Sequence, residues 1–124
     1  MTLESLYDEI GGNYANVKAR LLKDARIEKF VLLFLEDDSY QIFLRALENG
    51  DPEEAFRGIH TLKGVCAYLS FDALYRLASA ATEALRGGDL PGAVAALPGL
   101  ETCYQAHLRA IRAYARETAG KELP

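Results

Sequence analysis

The chain has 124 residues, most simply one domain spanning 1–124, long enough to bury roughly two-thirds of its unfolded surface. Half the residues are hydrophobic, 26% are charged and only 4 are proline, which excludes a disordered chain. The net charge of −4, with no Lys/Arg run longer than a pair, argues against general nucleic-acid binding. No apolar stretch approaches the roughly 18 residues of a membrane span, and Met1-Thr2-Leu3-Glu4-Ser5 lacks a signal core, so a cytoplasmic location is expected. The two cysteines, Cys66 and Cys103, lie far apart without a CxxC pattern and read as small buried hydrophobes rather than a disulfide.

The periodicity is helical nearly throughout. Thr2 to Ile10 predicts a short helix, with Thr2 as N-cap and Gly11-Gly12 as the stop. Asn13 caps a second helix carrying Tyr14, Val17 and Leu21. A third begins near Ala25, with Ile27, Phe30, Val31, Phe34 and Leu35 repeating at three and four. Asp37-Asp38-Ser39 interrupts it and offers an N-cap to a fourth helix, marked by Ile42, Phe43, Ala46 and Leu47. The acidic run Glu36-Asp37-Asp38 falls at this junction, where carboxylates read as solvated caps rather than as a metal site. Asn49-Gly50-Asp51-Pro52 places glycine after one helix and proline in the first turn of the next.

The fifth helix, about Pro52 to Leu69, has an apolar stripe of Ala55 or Phe56, then Ile59, Leu62, Cys66 and Leu69. His60, Lys63, Gly64 and Ala67 fall to one side of it. Asp72 is placed to cap a sixth helix bearing Leu74, Leu77, Ala78, Ala81 and Leu85, ended by Gly87-Gly88. A last helix holds Leu97, Leu100, Tyr104, Leu108, Ile111 and Ala115, with a fresh start expected after Pro98-Gly99. No segment alternates in the manner of a strand. Short connections between long amphipathic helices imply antiparallel neighbours: an all-α, up-down four-helix bundle with additional short N-terminal helices. Ala46-Leu47-Glu48-Asn49-Gly50-Asp51 is echoed by Ala84-Leu85-Arg86-Gly87-Gly88-Asp89, which reads as two hairpins that solve the same turn problem rather than as a repeat array.

Arg57-Gly58-Ile59-His60-Thr61-Leu62-Lys63-Gly64 is the most informative stretch. Lys63 and Gly64 lie one turn along from His60. A mid-helix glycine costs roughly 1 kcal/mol relative to alanine, and the return expected here is a clearing beside the imidazole. A metal site would need further ligands at i±3 or i±4, where His60 instead has Phe56, Arg57, Lys63 and Gly64, and two cations repel a metal ion. A neutral imidazole can attack electrophilic phosphorus, and a lysine about 6 Å away offers the product roughly 0.7 kcal/mol in water and ~3 kcal/mol when partly shielded. That is enough to orient a phosphoryl group without trapping it. His107, with no lysine or glycine in register, reads as structural. Of the seven tyrosines, most are expected to pack, while Tyr68, two turns beyond His60, borders the motif face.

His60-Thr61-Leu62-Lys63-Gly64, followed by Ala67 and Leu69, resembles the His-x-Leu-Lys-Gly signature of histidine-containing phosphotransfer (HPt) domains, four-helix-bundle relays of two-component signalling. The resemblance covers roughly residues 25 to 115 and includes the Phe30 to Asp51 pattern and both glycine turns. It implies that His60 exchanges phosphate with the aspartate of response-regulator receiver domains, with Lys63 assisting and Gly64 keeping the ring accessible. It implies no kinase activity, no nucleotide and no cofactor of the chain's own, since receivers bring Mg²⁺ and most catalytic groups. The expected partners are receiver domains and a hybrid sensor kinase, with the chain itself a monomer. Departures are Ser70 where the family places a glycine, Tyr68 where a small or polar residue is common, and Gly58-Ile59 in place of Ala-Ala. Thr82 stands where a glutamate or glutamine would face the histidine, with Glu83 beside it, so the hydrogen bond to the ring's second nitrogen rests on Thr82. The alternative function, from a different class, is a helical adaptor that binds a protein partner without phosphorylation.

Overall fold

The structure is a computed structural model that describes residues 1–122. Among the described residues all regular structure is helical: α1 (Leu3–Ile10), α2 (Tyr14–Leu21), α3 (Asp24–Leu33) continuing into a 3-10 turn (Phe34–Glu36), α4 (Ser39–Glu48), α5 (Pro52–Leu69), α6 (Asp72–Arg86) and α7 (Leu90–Glu122). Helices α4 to α7 form the expected antiparallel bundle. Helix α5 packs between α4 and α6, and α6 packs on α7. Tyr40 closes the ring of helices: it stacks on Tyr104 at 4.1 Å between centroids and donates its hydroxyl to Glu101, tying α4 to α7. Ile59, Leu62, Cys66, Leu74, Ala78, Leu100 and Ile111 fill the centre, fully buried.

The sharp punctuation of the sequence becomes one turn used repeatedly. After α4, Gly50 takes the left-handed conformation (φ +65°), Gly50 N–H donates to Leu47 O and Asp51 N–H to Ala46 O at 2.9 Å. After α6, Gly88 (φ +76°) repeats this, with Gly88 N–H to Leu85 O and Asp89 N–H to Ala84 O at 2.8 Å. The echo noted in the sequence is this shared turn, which satisfies the last carbonyls of each helix. The aspartates then turn to the next helix: Asp51 accepts from Glu54 N–H and Asp89 from Gly92 N–H.

Two boundary expectations need correction. Asp72 does not cap α6; Phe71 is the N-cap residue, and Asp72 is the first helical residue, where its charge favours the helix N-terminus. The Asp37-Asp38-Ser39 junction does start α4, with Asp38 as the N-cap residue, while the carboxylate that accepts is that of Asp37, from Ser39 N–H at 3.1 Å and from its hydroxyl. Pro98 does not restart the last helix. It sits inside α7 with its side chain exposed, and Val94 four residues earlier is 50% exposed, so the carbonyl that Pro98 cannot serve lies on the watered side.

The short N-terminal helices have a definite task. They cover the end of α5 where it turns into α6, and they bind its terminal carbonyls. Tyr7 Oη donates to Leu69 O at 2.8 Å, Asn13 N–H to Ser70 O at 2.9 Å, and the Arg20 guanidinium to Ala67 O and Tyr68 O. Ser70, standing where a glycine was expected, adopts the left-handed conformation all the same (φ +56°). Its hydroxyl is held by Asn16 Oδ1 at 2.8 Å and by Arg20, which offsets the strain of a side chain in that region.

Candidate functional site

Helix α5 starts firmly. Asp51 caps it, Pro52 occupies its first turn, and Glu53 and Glu54 complement the positive end of its dipole. Its buried stripe is Ala55, Ile59, Leu62, Cys66 and Leu69, so of the two residues offered for the first position Ala55 takes it and Phe56 is half-buried at the edge. That register turns His60, Thr61, Gly64, Ala67 and Tyr68 to solvent and leaves Lys63 half-buried beside α6.

The two glycines of this helix do opposite things. At Gly64 an added Cβ would have nothing within 4 Å, so the clearing beside His60 exists. At Gly58 an added Cβ would lie 2.8 Å from Phe43 N and 2.9 Å from Ser39 O, both backbone atoms of α4. Gly58 is therefore a point of close approach between α4 and α5, a role the sequence reading missed. The signal available was its apolar neighbours at helical spacing: Ala55 before it, Leu62 after it.

Charged groups from α6 meet the motif. Lys63 Nζ lies 3.8 Å from Glu83 Oε1 and 6.0 Å from the centre of the Tyr75 ring. Glu83 also pairs with Arg86 Nε at 3.3 Å, so one carboxylate bridges two cations. The Arg86 guanidinium lies over the Phe56 ring, 5.1 Å from its centre. Phe56 in turn stacks on the His60 imidazole, with centroids 5.3 Å apart and planes 14° from parallel. Among the described residues no hydrogen bond reaches the His60 ring. Thr82, expected to supply one, is fully buried, and its hydroxyl donates to Ala78 O at 2.7 Å within α6. Thr82 belongs to the core rather than to the site.

On the other flank of Gly64, an open apolar groove of about 470 Å³ runs between α3 and α5, lined by Phe30, Leu33, Phe34, Val65 and Tyr68 among others. Tyr68 is 44% exposed and meets Phe30 edge-on at 5.6 Å. Ala67 is exposed one turn past Gly64. Among the described residues no group of three or more histidine, cysteine or acidic side chains is placed to hold a metal ion.

His107 lies far from this chemistry in character. It is buried against Phe71; its Nδ1–H donates to Cys103 O at 2.9 Å, and its Nε2 has no partner among the described residues. Burial holds its pKa below the ordinary imidazole value, the bond to Cys103 O acting more weakly in the opposite sense. Both cysteine thiols are free, and burial pushes that of Cys66 well up.

A bundle with an exposed histidine, a lysine at i+3 and an open glycine at i+4 on one helix defines a class. The Hpt domain family matches residues 34–113, close to two-thirds of the chain, and spans the 3-10 turn, α4, α5, α6 and most of α7. The chain belongs to the Hpt domain family, whose members serve histidine phosphotransfer in two-component phosphorelays. Comparison with curated proteins and with solved structures gives no match. No helix among the described residues is long and apolar enough to cross a membrane.

Proposed function

We propose that this chain is a phosphorelay carrier in which His60 takes a phosphoryl group from the phospho-aspartate of a receiver domain and passes it to another. The observation that carries the reading is an exposed imidazole beside a glycine whose missing side chain leaves open space. In the transfer, an imidazole nitrogen attacks phosphorus, the N–P bond forms, and the P–O bond to the aspartate breaks to release its carboxylate. The proton on the ring's other nitrogen is then free to leave to solvent, and the ring carries a dianionic phosphoryl group.

Lys63 supplies the nearby positive charge. Its pairing with Glu83 at 3.8 Å is half-exposed and weak, so a more highly charged phosphoryl group can draw it away. Ala67, Tyr68 and the groove beside Gly64 border the surface on which the receiver docks. The receiver brings Mg²⁺, and a hybrid sensor kinase bearing such a receiver is the corresponding upstream partner. The chain itself acts as carrier, without kinase activity, as a cytoplasmic monomer. A receiver domain charged with labelled acetyl phosphate tests this. The label should move to this chain in acid-labile form and be lost in His60→Gln; acid-stable label, or label surviving that substitution, refutes the assignment.

A further inference from the structure

The missing hydrogen bond at His60 poses a physical question. A phosphoacceptor imidazole must present one nitrogen outward, yet a surface histidine has several staggered rotamers open to it. A partner on the ring's second nitrogen would select among them, and Thr82 is turned away into the core. What touches the ring is Phe56, one turn earlier on α5, lying nearly parallel to it at 5.3 Å. Phe56 is itself fixed. It is half-buried against the core, shares a pocket wall with Leu85 and Arg86 of α6, and carries the Arg86 guanidinium over its ring. Arg86 is braced by Glu83, the same carboxylate that meets Lys63. A chain of contacts thus runs from α6 through an aromatic face to the imidazole.

We infer that Phe56 is a positioning residue for the phosphoacceptor: its ring, braced by Arg86, sets the orientation of the His60 imidazole in place of a hydrogen bond to the second nitrogen. The inference rests on the carrier reading for its kinetic consequence and on the stack alone for its structural one. An offset aromatic pair contributes a preference of about three- to ten-fold for the stacked arrangement over the unstacked ones.

The test uses phosphoramidate, a small donor that needs no protein partner. As the ring nitrogen bonds to phosphorus, the donor's own P–N bond breaks and ammonia leaves. Phe56→Leu keeps an apolar side chain at the core edge and removes the aromatic face. We expect labelling of His60 to slow by about three- to ten-fold, with helix content by circular dichroism unchanged. The His60 ring protons, assigned by comparison with His60→Gln, should lose the ring-current shift that a stacked phenyl imposes. Phe56→Tyr, which retains the face, should restore both readouts. A wild-type labelling rate in Phe56→Leu, or unchanged His60 ring signals, overturns the inference. Should Phe56→Leu lose its helical signal, Arg86→Gln decides on an exposed side chain. Its His60 signals and labelling rate should move in the same direction, and unchanged ring signals there overturn the braced stack. A wild-type chain that takes no label, or a His60→Gln chain that labels equally well, brings down the carrier reading instead, while the ring-current comparison still decides whether Phe56 orients the ring.

Discussion

Replacing Gly58 or Gly64 of α5 by alanine should give opposite results, because only Gly58 lies against another helix. Both sites are interior to one helix, so alanine contributes about 0.5–1 kcal/mol of helix stability at each. At Gly64 nothing opposes that gain, because the new methyl group meets no atom within 4 Å. Gly64→Ala should therefore raise stability by about 0.5–1 kcal/mol and Tm by about 2–4 °C. At Gly58 the methyl group would sit 2.8 Å from Phe43 N, 2.9 Å from Ser39 O and 3.1 Å from Phe43 Cα. These are backbone atoms of a packed helix, so α4 must shift by roughly half an ångström, an overpacking penalty of about 2–3 kcal/mol. After the helix gain is subtracted, Gly58→Ala should lose about 1–2.5 kcal/mol, and Tm should fall by about 4–10 °C. Urea unfolding followed by circular dichroism measures both variants against the wild type. A Gly58→Ala chain as stable as the wild type, or two variants shifted in the same direction, refutes the close approach of α4 and α5.

His107 makes stability depend on pH. Its folded pKa lies below the ordinary 6.5, so the unfolded chain binds the proton first and stability falls as pH drops below about 6.5, at no more than about 1.4 kcal/mol per pH unit. His107→Phe should flatten the urea midpoint between about pH 7 and pH 5.5, and an unaltered slope there removes His107 as its source. Arg20→Ala withdraws the guanidinium from Ala67 O and Tyr68 O and should cost about 1 kcal/mol, with faster amide exchange confined to the last turn of α5 and the turn after it. Glu83→Gln breaks one exposed and one half-exposed pair and should change stability by less than about 0.5 kcal/mol. If His60 is the carrier, the same change should lengthen the lifetime of its phosphorylated form by about two- to three-fold, since Lys63 then has no competing carboxylate. A shortened lifetime contradicts that role for Lys63.

The helices could be read from the sequence because their ends are chemically marked. Asn49-Gly50-Asp51-Pro52 and Gly87-Gly88-Asp89 stop one helix and start the next through backbone geometry that few other residues permit. Pro98 misled because the cost of a mid-helix proline depends on whether water reaches the freed carbonyl, which only the fold decides. The solvent-facing placement of His60 and Gly64 was legible from spacing within one helix. The contacts of Lys63 with Glu83, and of Phe56 with Arg86, depend on how far α6 is slid along α5, and no local pattern encodes that register. Thr82 shows the same limit. It is close to the right position along α6, yet rotated into the core, where bonding its hydroxyl to Ala78 O leaves none for the histidine.

The residues that match the family begin at Phe34, yet the acceptors at the end of α5 are bound by Tyr7, Asn13 and Arg20. Family boundaries and mechanical boundaries therefore differ in this chain. A truncation cut to the matched segment would keep the histidine, lysine and glycine while unfastening the helix they stand on. It would also strip Tyr7 from the face of Phe71 and leave Ser70 in a strained conformation with Asn16 and Arg20 gone. The first thirty-odd residues act as a buckle on the far end of the bundle, and expression of this protein for study should begin at Met1 rather than at the first residue the family comparison covers.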